Sequence, residues 1–224
     1  MGESQNIDHE AGHRALVERM VAQLRPVRRL WPVRARLALW ISLEVAALLL
    51  VISHGNRLDL ARRLQDPGYV LAVAAFAAAG GIAASFALRS TIPGREPRTM
   101  EKALLAGVCV AAVLLLFRQP VNSNAALAGF VRAGLPCVQG IAIFALLPWC
   151  ALMWAVRRGA PLAPVADGAL AGAAACLFSF ALTRMNCPID ERLHLLIFHL
   201  LPALAGVAIS ACLGIVLLRR RVRA

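Results

Sequence analysis

The sequence predicts an all-α membrane protein: a six-transmembrane-helix bundle preceded by a short cytoplasmic amphipathic N-terminal helix. Three observations carry this prediction. Of 224 residues, 60% are hydrophobic and 16% charged, which leaves a soluble fold of this length too little polar surface to cover its core. The apolar residues fall into six runs, 37–53, 69–88, 103–117, 138–156, 165–183 and 195–218, and about 17 to 25 helical residues cross a hydrocarbon core of about 30 Å. Finally, RPVRRLWPVRAR (Arg25 to Arg36) sets five arginines, two prolines and Trp31 just ahead of the first run, which is the flank expected at a cytoplasmic membrane entry.

The chain divides accordingly into an arm (1–36), a transmembrane domain (37–218) and a basic tail (219–224). Residues 1–12 carry acids, Gly and Asn without a periodic apolar face, and are expected to be disordered. From His13 to Arg25, Leu16, Met20 and Leu24 recur every four residues, with Val17 and Val21 beside them. They form one apolar stripe on a helix otherwise covered by Arg14, Glu18, Arg19 and Gln23. Pro26 ends it. So short a helix is marginal alone in water, so the stripe needs a surface to lie on, either the bilayer or another protein. The first 36 residues lack the basic, apolar, small-residue order of a cleavable signal peptide, and the arm is expected to remain in the mature protein.

Only the third run is short, and Lys102 and Arg118 at its ends can snorkel to the headgroups. Pro148 in the fourth and Pro202 in the sixth mark expected kinks. With the N-terminus inside, 17 Lys and Arg residues lie on the inner side and 7 on the outer. That bias predicts a multi-pass protein of a bacterial inner membrane with both termini cytoplasmic. The net charge of +12 is spread over short stretches between the runs rather than one face, so no direct nucleic-acid binding is expected. Gly81 and Ser85, Gly168 and Gly172, then Gly206, Ser210 and Gly214 are spaced four apart. Such spacing serves contacts within the bundle or between copies in a homo-oligomer, and spacing alone does not separate the two.

Four of the six cysteines, Cys109, Cys150, Cys176 and Cys212, lie within runs and are expected to behave as small apolar residues. Cys137 and Cys187 fall at the outer face, where the compartment is oxidising, so a disulfide is one reading. The other is a regulatory metal ion. Cys187 is followed by Pro188, Asp190, Glu191, His194 and His199, and Cys137, Cys187 and His199 make a candidate ligand set for a soft or borderline ion such as zinc, copper or cadmium. Neither CxxC nor HExxH occurs, and the residues leave both readings open. Glu44 and His199 are ionisable groups inside spans, costly enough to point to a partner or a pathway. His199 is expected to be a neutral imidazole bonded to a neighbouring helix, and Glu44 to be protonated and paired. Proton coupling through Glu44 is the alternative, a small transporter or metal-handling membrane protein. No Ser/His/Asp set, phosphate-binding glycine loop or haem motif is present, so no enzyme is expected.

One ordered set of motifs goes further. LRPVRRL before the first span, IPGR after the second, Pro136-Cys137 at the fourth, RRGAPL after it, Cys187-Pro188, and Phe198-His199 ahead of Leu201-Pro202-Ala203-Leu204 together resemble the NrsF-type integral-membrane anti-sigma factors, from about Leu16 to Arg220. The resemblance implies that the arm holds an extracytoplasmic-function sigma factor and that periplasm-facing cysteines sense metal or oxidative stress. By position, Leu24, Arg25, Pro26, Arg28, Arg29 and Leu30 would belong to the sigma-binding arm, and Cys137 and Cys187 would be the sensing pair. The stripe of Leu16, Val17, Met20, Val21 and Leu24 would then lie in a groove of the sigma factor.

Overall fold

The computed structural model describes residues 14–22, 30–54, 57–121 and 127–218. The chain falls into two units, residues 1–30 and 31–224. In the first, residues 14–22 form helix α1, on which Leu16, Val17, Met20 and Val21 are all exposed. Leu30 is half-buried, and Leu24, Arg25, Pro26, Arg28 and Arg29 lie outside the described residues.

The second unit is helical throughout its described secondary structure: α2 (Val33–His54), α3 (Leu60–Arg63), α4 (Pro67–Arg89), α5 (Thr99–Leu116), α6 (Leu127–Arg157), α7 (Pro164–Asn186), α8 (Arg192–Leu195), a π-helical turn (Leu196–Leu200) and α9 (Leu201–Leu217). Six helical stretches are long and apolar enough to cross a membrane, with α8, the π turn and α9 forming the sixth. The protein is a six-helix membrane protein.

Local chemistry sets the helix ends. Asp66 Oδ1 accepts the Gly68 N–H at 2.9 Å and Pro67 opens α4, a capped start with proline where no donor is needed. Helix α5 begins at Thr99, ahead of its apolar run, because Glu101 accepts the Arg98 N–H at 2.7 Å and pairs with Arg89 at 2.6 Å. Helix α6 likewise starts well before its apolar run. Its 31 residues continue through Pro136 and Pro148 and reach about 46 Å, beyond a hydrocarbon core of about 30 Å. Each proline removes one donor without ending the helix, as neighbours allow in a membrane bundle. Pro202 has a different effect. It cannot donate to Phe198, and just before it the helix widens, the Leu201 N–H bonding to Leu196 O.

Helix α7 is central and packs on α9, α4 and α6. Small residues permit this. A Cβ on Gly172 would meet the Ser210 side chain at 2.5 Å, and one on Gly168 would meet Ser210 O at 2.5 Å, so α7 and α9 touch backbone to backbone there. The stripe of Gly168, Gly172, Ser210 and Gly214 is therefore used within the chain, whereas Gly81 faces open space. Ser210 Oγ donates to Gly168 O at 2.6 Å and accepts from Trp149 Nε1 at 2.7 Å, which satisfies its polarity inside the apolar contact. Phe76 of α4 stacks on Phe180 of α7 with centroids 3.9 Å apart.

Polar groups gather at both ends of this bundle. At the end where α2 begins, the arm end, Arg36 reaches Thr91 Oγ1 and Ala155 O, each at 3.4 Å, and Ser90 Oγ donates to Asp167 Oδ1 at 2.6 Å. The opposite, cysteine end holds the candidate site.

Candidate functional site: a buried cysteine and histidine cluster

Cys137 comes from α6, Cys187 from the residue that ends α7, and His194 and His199 from α8 and the π turn. All four are buried, and one ligand atom from each lies within 4.8 Å of the others. The Cys137 thiol donates to Cys187 Sγ at 3.3 Å, and His194 Nε2 stands 3.4 Å from each sulfur. The π turn explains how two histidines five residues apart serve one site. On an α-helix such residues diverge, whereas i→i+5 bonding widens the turn and brings them to one side. Their rings lie 5.4 Å apart.

Apolar side chains close the cluster off. Phe198, Phe130, Val138 and Ile189 pack around the two cysteines, and the Phe180 ring lies 5.5 Å from that of His199. Gly134, one turn before Cys137, makes room for Phe198, since a Cβ there would run into the Phe198 ring. Neither nitrogen of His199, nor Nδ1 of His194, has a hydrogen-bond partner among the described residues. Buried polar atoms without partners are uncommon and costly, and here they sit beside two thiols.

The Cys187 loop is held from behind by an ion network. Arg57 Nη1 donates to Cys187 O at 2.7 Å and to Arg184 O at 3.4 Å, and both Nη groups bond to Asp190. Arg63 Nη2 reaches the same carboxylate at 2.9 Å and Arg184 Nη2 approaches it at 3.7 Å. Arg57 and Arg184 also lie over the Tyr69 ring, whose hydroxyl donates to Arg184 O at 3.1 Å. Burial alone would lower the pKa of Arg57, but its hydrogen bonds to Asp190 and Asp59 outweigh that and leave it raised. The Cys187 thiol is held below its ordinary range, first by the hydrogen bond from Cys137, against the opposing effect of burial, and then by His194.

The structure thus brings Cys137, Cys187 and His199 together and adds His194, with Arg57 and Asp190 behind them. Among the described residues neither His199 nitrogen reaches full hydrogen-bond geometry; its ring meets His194 and Phe180, and its polar neighbour is Cys187 at the end of α7. Glu44 differs from the sequence expectation. It is fully buried, and neither carboxylate oxygen has a partner among the described residues, because the turns on either side of it carry Trp40 and Leu48 into apolar clusters. Cys176 is buried in an apolar cluster of its own, while Cys150 and Cys212 are exposed on the bundle.

Fold and site define the class: an integral membrane protein that gathers a buried thiol and imidazole cluster at one end of a six-helix bundle and carries an apolar-striped arm at its N-terminus. The chain matches the family model for the negative regulator of sigma F, NrsF, over residues 20–220, and it belongs to that family. It is an anti-sigma factor, and its partner is a sigma factor. No curated protein and no solved structure matches it.

Proposed function

We propose that this protein holds an extracytoplasmic-function sigma factor at the bacterial inner membrane through its cytoplasmic arm, and releases it when the cluster at the outer face takes up a thiophilic metal ion. The convergence of Cys137, Cys187, His194 and His199 on one buried point carries this reading. Ligand bonds of about 2.3 Å to sulfur and about 2.0 Å to nitrogen put the donors of a tetrahedral site roughly 3.3 to 3.8 Å apart. The sulfur and nitrogen separations of 3.3 and 3.4 Å fall at that scale, and the unpartnered His199 nitrogens fit a ligand role. Two thiolates with two imidazoles suit zinc, cadmium or copper(I) rather than magnesium or calcium. The bias of 17 basic residues to 7 supports placing the arm in the cytoplasm and the cluster outside.

The exposed stripe of α1 supports the arm's role. Leu16, Val17, Met20 and Val21 are the size and spacing of a helix-in-groove contact, with Leu24, Arg25, Pro26, Arg28, Arg29 and Leu30 continuing it. A sigma factor held there is denied to core polymerase. A second reading rests on the 3.3 Å between Cys137 and Cys187: an oxidant that takes two electrons and both thiol protons would join the sulfurs directly.

The test uses the full chain in nanodiscs with the sigma factors of the same cell. Capture of one extracytoplasmic-function sigma factor, lost in the Leu16→Asp, Met20→Asp double variant, is the expected result. In cells, cadmium should induce the dependent promoter, and Cys137→Ser and Cys187→Ser should each abolish the response. Capture that survives the double variant would refute the arm's role, and cadmium induction that survives both cysteine variants would refute the sensor.

A further inference from the structure

We infer that α2 carries the state of the cysteine and histidine cluster to the arm, with Arg57 as the positioning residue at its cysteine end and Trp40 and Arg36 as its attachments further along. This inference rests on the sensing role proposed above and concerns how the site acts at a distance.

The two cysteines stand on separate elements, so any event that changes their spacing moves α6 relative to the loop after α7. Helix α6 is bonded to α2 itself, and the loop to Arg57, just beyond the end of α2. The loop is tied through Arg57, three residues beyond His54, the last residue of α2, and the bond at 2.7 Å is to the backbone carbonyl of Cys187 itself. Asp190 locks that arginine in place from the same loop. Helix α6 is tied at two points on the far side: Pro148 O accepts from Trp40 Nε1 at 3.2 Å, and Ala155 O accepts from Arg36 Nη1 at 3.4 Å. Pro148 lies about 17 Å along α6 from Cys137, and Trp40 lies about 21 Å along α2 from His54. Helix α2 is therefore held towards its start by the element bearing Cys137, while near its end Val51 packs with Leu182 and Met185 of α7 and Arg57, just beyond that end, bonds the element bearing Cys187. The first turn of α2 falls within the last residues of the expected arm (1–36), and Trp31 and Pro32 separate it from the first unit (1–30).

The required movement is small. The sulfurs are 3.3 Å apart, a tetrahedral ion with metal–sulfur bonds of about 2.3 Å needs them at about 3.8 Å, and a disulfide needs about 2.0 Å. Either event shifts one anchor of α2 against the other. A packed bundle responds to such shifts by moving between discrete arrangements rather than by stretching. Cadmium and sigma factor, if coupled, change each other's affinity by one common factor. Anchors that transmit lower that factor when they are weakened, whereas mere fastenings of the bundle leave it unchanged.

The experiment measures that factor with the full chain in nanodiscs, the captured sigma factor, and cadmium alone as the probe. Sigma affinity is determined with and without cadmium, and cadmium affinity with and without sigma. Trp40→Phe keeps an aromatic ring at the position and removes the indole N–H. Arg57→Lys keeps the charge near Asp190 but cannot bond Cys187 O, Arg184 O and the carboxylate together. For the wild-type chain the coupling factor should be about 100-fold, within the usual range for linked sites. Each variant should still bind both partners, with the factor reduced to about threefold or less. A coupling factor unchanged in both variants overturns the inference, even if either affinity falls. Should Arg57→Lys fail to fold, Trp40→Phe decides alone. A wild-type chain that binds sigma and cadmium without coupling would sink the sensing reading itself, whereas coupling that survives both substitutions sinks only the role of α2.

Discussion

Two buried arginines mark the two ends of the bundle, and they are held very differently. Arg57, at the cysteine end, has both Nη groups on Asp190, its Nε 2.9 Å from Asp59, and Nη1 also on Cys187 O. Arg36, at the arm end, meets no carboxylate among the described residues; its contacts are one hydroxyl and one carbonyl, each at 3.4 Å, and its Nε is unpartnered. Both guanidinium groups donate as ions, but Arg57 meets two carboxylates, one of them through both Nη groups, whereas Arg36 meets only neutral oxygens at the long end of the hydrogen-bond range. The contrast teaches that the cysteine end holds its buried arginine in a multiply bonded ion network, whereas the arm end holds Arg36 only by long bonds and is expected to be the less rigid of the two.

Substitutions can break or sharpen that contrast. The largest effect is expected from Asp190→Ala, which strands Arg57, Arg63 and Arg184 around a missing acid and should cost about 3–5 kcal/mol in detergent unfolding, the penalty for an uncompensated buried charge. Gly134→Ala comes next. Its methyl meets the Phe198 ring and should cost about 1–3 kcal/mol by overpacking, and displacement of Phe198 should also weaken cadmium binding several-fold. Thr91→Val removes the hydroxyl that Arg36 reaches and should cost only about 1 kcal/mol. If it proves as damaging as Asp190→Ala, the two ends are equally rigid and the contrast fails. The smallest effect belongs to Asp59→Asn, where the carboxylate faces solvent and Arg57 keeps Asp190; the melting temperature should not change measurably.

The six helices were legible because membrane spans announce themselves as apolar runs bounded by basic residues. Their ends were less so: residues 127–137 mix Gly129, Arg132, Gly134 and Pro136, and nothing local says that α6 continues through them. Cys137, Cys187 and His199 could be named from the order of the runs, since alternate crossing brings the start of the fourth, the end of the fifth and the first part of the sixth to one side. His194 stands in the run after Cys187, but its place in the ligand set was not legible, because its spacing of five from His199 shares a face only in a π turn, and Pro202 was the one hint of it. Arg57 and Asp190 are 133 residues apart, and no periodicity links them. The stripe of α1 was readable from a spacing of four, and the family motifs, not the stripe, name a sigma factor as its occupant.

The most direct test of the account is the dissociation constant of the sigma factor from the nanodisc-embedded chain, titrated with cadmium. A weakening of about 100-fold, equivalent to about 2.7 kcal/mol, is expected as one ion binds per chain, and no weakening in the Cys137→Ser, His194→Ala variant. An unchanged dissociation constant with one cadmium bound at the cluster would contradict it.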